Sequence, residues 1–90
     1  MLLQTPYEML TDVANRFRNT RKAKRITIKE LSKRSGVPYS TIRRFESTGE
    51  TSFLSFVKMM SAIGEDSQIS SILANRVPAS IEEVIRENRR

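Results

Sequence analysis

From Leu10 to Ile63 the apolar residues recur three or four positions apart, and no stretch alternates long enough to read as a strand. Five helices are predicted. The first opens at Thr5-Pro6-Tyr7-Glu8, where Thr5 caps, Pro6 suits the first helical position and Glu8 closes a capping box. Leu10, Val13, Ala14 and Phe17 then fall on one stripe expected to be buried, and the helix ends among Arg and Lys, which suit the negative pole of its dipole. Thr27-Ile28-Lys29-Glu30 repeats the T-x-x-E device and starts a second helix, with Leu31 facing the core and Gly36 as its left-handed stop. Pro38 cannot continue a helix from Val37 but permits an immediate restart, so a third helix is predicted over Tyr39 to Ser47. Thr51 or Ser52 caps a fourth, whose apolar residues Phe53, Leu54, Phe56, Val57, Met60 and Ile63 run to Gly64. Asp66 or Ser67 caps a short fifth with Ile69, Ile72 and Leu73 on one side. Beyond Val77-Pro78, Ser80-x-x-Glu83 can cap a last turn through Ile81, Val84 and Ile85, too short and too charged to stand without a surface to lie on.

The two helices parted only by Gly36-Val37 make an abrupt corner, and the third has two unlike sides. At about 100° per residue, Ile42 and Phe45 fall together, while Ser40, Arg43, Arg44 and Ser47 gather opposite. Tyr39 stands at the boundary and Thr41 at the other edge; Glu46, the one carboxylate, lies inward of the polar face. A helix lying between two phosphate rails needs such a face, free of acids.

Charge strengthens that picture. The chain has 90 residues and a formal net charge of +6. Its cations cluster at Arg16, Arg18, Arg21, Lys22, Lys24 and Arg25, then at Lys29, Lys33, Arg34, Arg43 and Arg44. Met1 to Asn15 carries none, and Phe45 to Asn75 only Lys58, so the basic surface assembles around the corner and points to a polyanionic partner.

The stretch "ITIKELSKRSGVPYSTIRRFESTGE", followed by "SFLSFVKMMSAIG", resembles the Cro/C1-type (XRE) helix-turn-helix family, over about Asn15 to Leu73. The resemblance implies an all-α, five-helix lambda-repressor-like domain whose third helix reads the major groove of double-stranded DNA. It divides the chain into a DNA-binding domain over 1–75 and a basic C-terminal tail over 76–90 that offers a dimer or partner contact. The family's base-reading positions fall on Tyr39, Ser40 and Arg44. The face analysis adds Arg43, suited to a base or to a phosphate. Thr41 and Ser47 match backbone-contacting positions, and Arg21 and Glu46 match a partly buried structural pair. Where the family often carries a Gln that bonds phosphate, this chain has Ile28, leaving Thr27, Lys29 and Lys33 as the candidate backbone contacts there. A sequence-specific repressor acting as a homodimer on an inverted repeat is expected, with the dimer contact between Ile69 and Ile85.

Other classes have less support. With no His and no Cys, the commonest general base and every thiolate metal site are missing, and three Gly make no phosphate-cradling loop, so no enzyme, metal or cofactor is expected. No apolar run suits a membrane span, and a cytoplasmic location is expected. Met59, Met60, Phe53 and Phe56 can form a protein-docking patch, but are expected mostly in the core. The tail "VPASIEEVIRENRR" loosely resembles the ends of XRE regulators that accompany HipA-like kinase toxins, which implies the alternative of a HipB-like antitoxin that binds such a kinase and represses its own operon.

Overall fold

The computed structural model describes residues 4–74, which form five helices: α1 (Pro6–Ala23), α2 (Ile28–Ser35), α3 (Tyr39–Thr48), α4 (Phe53–Ala62) and α5 (Asp66–Ser70). No strand occurs among the described residues. The tail over 76–90, with its turn at Ser80 and Glu83 and the apolar Ile81, Val84 and Ile85, lies outside them.

Local chemistry explains most of the boundaries. Thr5 and Thr27 each close a complete capping box with Glu8 and Glu30. In both boxes the threonine's backbone N–H donates to the glutamate, which holds the Glu8 and Glu30 carboxyls below their ordinary range. Depressed values of this kind stabilise the fold at neutral pH, and that contribution is lost as pH falls through them. Ser52, not Thr51, caps α4 by accepting the Ser55 N–H at 3.0 Å. α5 departs from expectation: Glu65, with no side-chain cap bond, precedes it, and neither Asp66 nor Ser67 is the cap. Glu65 is instead engaged by Lys24 at 2.9 Å, which ties the end of α1 to the start of α5 and lowers the Glu65 carboxyl.

The core gathers Ala14 and Phe17 of α1, Leu31 of α2, Val37 at the corner, Ile42 and Phe45 of α3, and Met59 and Met60 of α4, with Ile26 and Ile63 closing it. Phe17, Phe45 and Phe56 meet as an aromatic trio, with ring centroids 5.4 to 6.4 Å apart, joining α1, α3 and α4. Three residues depart from expectation. Leu10 and Val13 stay more than a third exposed, and burial along the α1 stripe begins only at Ala14. Of the four residues expected mostly in the core, Met59 and Met60 are buried and Phe56 packs against the core, but Phe53 is 66% exposed in the first turn of α4, next to Leu54 at 63%.

Gly49 ends α3 in the left-handed region (φ 81°) and is buried against α1. A Cβ built there meets the backbone of Leu10 at 2.7 Å, whereas one at Gly36 (φ 76°) meets nothing within 4 Å. Gly36→Ala therefore carries only the backbone cost, about 1–2 kcal/mol. Gly49→Ala adds overpacking of roughly 1–3 kcal/mol. Urea unfolding should show the second midpoint falling clearly below the first; equal midpoints would mean that α1 does not press on this turn.

Candidate nucleic-acid interface

The corner between α2 and α3 is held by hydroxyls as well as by glycine. Gly36 donates its N–H to the Ser32 carbonyl at 2.9 Å. The Ser35 hydroxyl oxygen accepts the Val37 N–H at 3.1 Å, and the Ser32 hydroxyl donates to the Val37 carbonyl at 2.7 Å. Both polar groups of this buried residue are thus satisfied while its side chain enters the core. The carbonyl of Pro38 then accepts from Thr41 and Ile42, starting α3 at once. Ser32 and Ser35 are site-building residues that sequence reasoning passes over. Two serines just ahead of a glycine stop are the only local hint of them.

The corner turns α3 so that Ile42 and Phe45 are buried while Tyr39, Ser40, Arg43, Arg44 and Ser47 are exposed and Thr41 is half-buried. Around the helix the outward residues follow in the order Tyr39, Arg43, Ser47, Ser40, Arg44, at about 100° per residue. One edge of this face, with Tyr39 and Arg43, borders α1. The other, with Arg44, borders the turn to α4, where Arg44 lies 3.7 Å from Glu50. Both of those side chains are largely exposed, so the pair is a weak tether. The Ser47 hydroxyl donates to the Arg44 carbonyl at 3.1 Å, so an outward contact requires it to rotate. Thr27, Lys29 and Lys33 are exposed along α2. Ile28 packs against the core rather than serving a polar role.

Beneath this face lies one buried ion pair. Arg21, 6% exposed, donates from Nε and Nη2 to the two carboxylate oxygens of Glu46 at 2.7 and 2.8 Å, and from Nη1 to the Ile26 carbonyl at 2.8 Å. The two-toothed geometry fixes α3 on α1 as well as holding it there.

A family model for helix-turn-helix proteins matches residues 17–66, from the buried half of α1 to the first residue of α5. The chain belongs to the Cro/C1-type helix-turn-helix family. No curated protein and no solved structure matches it. In this helix-turn-helix protein α2 and α3 are the two helices of the motif, and the family makes it a DNA-binding regulator of transcription. Among the described residues no helix is long and apolar enough to cross a membrane.

The Arg21–Glu46 pair can be tested through stability. Removing one partner leaves the other charge buried, so Arg21→Met or Glu46→Leu alone should cost about 3–5 kcal/mol, whereas the double substitution recovers most of that loss. Chemical denaturation of the three variants measures the coupling. Additive losses would show that the two groups do not depend on each other.

Proposed function

We propose that this helix-turn-helix regulator is a repressor that binds an inverted repeat as a homodimer, with α3 in the major groove. One observation carries the reading: Tyr39, Ser40, Arg43 and Arg44 stand exposed on a continuous face of α3 whose opposite side is sealed into the core. Arg44 then pairs with a guanine through N7 and O6, Tyr39 and Ser40 complete the reading set, and Arg43 reaches either a base or a phosphate. Thr27, Lys29, Lys33, Thr41 and Ser47 hold the sugar–phosphate backbone. Occlusion of a promoter follows from occupancy alone.

Magnitudes favour DNA over the internal tether. A bidentate arginine–guanine contact is worth about 1–3 kcal/mol, and an exposed ion pair like Arg44–Glu50 roughly 0–1. The homodimer draws support from Ile72, exposed where it lines an apolar cleft of about 240 Å³ with residues of α1, α4 and α5, and from exposed Leu73 next to it in sequence. Two-fold symmetry would place the half-sites roughly 34–36 Å apart or a multiple of that. A second reading, a HipB-like antitoxin that binds a HipA-like kinase, draws support from exposed Phe53 and Leu54, an apolar surface suited to a protein partner. Co-purification with a kinase encoded beside this gene tests it.

Binding to a duplex selected from random DNA, followed by anisotropy, separates the roles. Arg44→Ala should lose about 1–3 kcal/mol and relax selectivity at one base pair. Glu50→Gln should act in the opposite direction, tightening binding by freeing Arg44 and removing a charge from the anionic groove. Lys29→Ala and Lys33→Ala should weaken all duplexes alike, each reducing the salt slope by about 0.9. An unchanged site preference in Arg44→Ala would remove that residue from the reading set.

A further inference from the structure

The edge of α3 that borders α1 carries more charge than base reading uses. Arg18, Arg21 and Lys22 of α1 line one open cleft with Ile28 and with Tyr39, Arg43, Glu46 and Ser47. Its volume is about 350 Å³. Four of these residues are cations and one is an acid. The acid is already spent, because both Glu46 oxygens are held by Arg21. Arg18, Lys22 and Arg43 are exposed, and among the described residues none of them forms an ion pair. The cleft thus presents three uncompensated charges converging on one space. Ile28 and the Tyr39 ring give the same space an apolar wall.

A deoxyribose–phosphate unit has matching chemistry, with an anionic diester beside an apolar sugar edge. The position of the cleft is also apt. It runs along the flank of α3, where the DNA strand bordering an occupied major groove must pass. We propose that Arg18, Lys22 and Arg43 form a clamp for one backbone phosphate of bound duplex DNA, with α1 supplying two of the three charges. This rests on the DNA-binding reading and deepens it: Arg43 holds a phosphate and not a base, and Arg18 and Lys22 join the interface. The clamp also offsets the loss at Ile28, a side chain that cannot bond a phosphate at the start of α2. Neither α1 residue lies on α2 or α3, the two helices of the motif, though both fall within the matched residues 17–66.

The test compares Arg18→Gln/Lys22→Gln with Arg16→Gln/Lys58→Gln, a control that removes the same charge from residues outside the cleft. Binding of a selected duplex and of a scrambled one is measured against salt. The clamp variant should reduce the slope of log K against log salt by at least about 0.9, the share of one phosphate. Its preference for the selected duplex should stay within about twofold of the wild type, because phosphates position without specifying. A neutral methylphosphonate moved along the selected duplex should weaken the wild type at several positions, and at one of them per half-site the clamp variant should be indifferent. An unchanged slope, an equal fall in the control, or a clamp variant that keeps every methylphosphonate sensitivity of the wild type overturns the clamp while leaving DNA binding intact. Failure of the wild-type protein to bind any duplex at low salt overturns the DNA-binding reading, and the clamp with it.

Discussion

Arg21 is the constraint on which the reading face depends. Its guanidinium is buried, and each of its three nitrogens donates to an oxygen fixed elsewhere: two in Glu46 of α3, one in the Ile26 carbonyl between α1 and α2. Net stability is a poor explanation for such a group. Burying a charge pair costs nearly as much in desolvation as the pair returns, and an apolar replacement of similar volume often does as well. Apolar contacts, however, tolerate rotation of a helix about its own axis, and a bidentate contact does not. Arg43 lies three residues before Glu46, about 60° around the helix. Fixing Glu46 against α1 therefore sets where Arg43 points, and through it the whole outward face. In this molecule the polar bond supplies orientation, and the aromatic trio of Phe17, Phe45 and Phe56 supplies the burial.

The corner completes the placement from the other end. A helix restarted after three residues could leave in several directions, since a left-handed glycine allows the turn without choosing its angle. The choice is made by Val37, whose side chain is buried and whose N–H and carbonyl are both held by serine hydroxyls of α2. Gly49 then closes the far end of α3 against the backbone of Leu10. α3 is consequently held at its start by α2, in its last turn by Arg21 and just beyond its end by Gly49 against Leu10. A short helix of ten residues would not be stable alone. Held at three points, it can devote one entire side to solvent.

What could be read from the sequence follows the range of each interaction. The two Thr-x-x-Glu boxes, the glycine stops and the Pro38 restart act within four residues, and their signatures stand next to the structure they produce. The two faces of α3 were legible for the same reason, since periodicity is local. Burial of Leu10, Val13 and Phe53 was misjudged because an apolar stripe states which residues can be covered and not how far along the helix a partner extends. Arg21 and Glu46 stand 25 positions apart, and only resemblance to a family joined them in advance. Ser32 and Ser35 were invisible because their acceptors and donors come together only once the corner has formed.

On the proposed reading, the same geometry would divide the labour of recognition between the two edges of α3. A charge near a phosphate gains whatever the sequence beneath it, so it sets affinity and salt dependence. A fork aimed at a base edge gains only at the right base pair, so it sets preference. Arg43 and Arg44 are neighbours in sequence, but successive helical residues lie about 100° apart and cannot serve the same target. Arg43 faces the α1 cleft with Arg18 and Lys22, where uncompensated charge is already concentrated. Arg44 is turned away from that cleft, with a single exposed carboxylate at 3.7 Å as its alternative. A helix carrying one arginine toward each edge can therefore be anchored on one side and interrogate on the other, provided it cannot roll. The buried contact between Arg21 and Glu46 is what denies it that freedom.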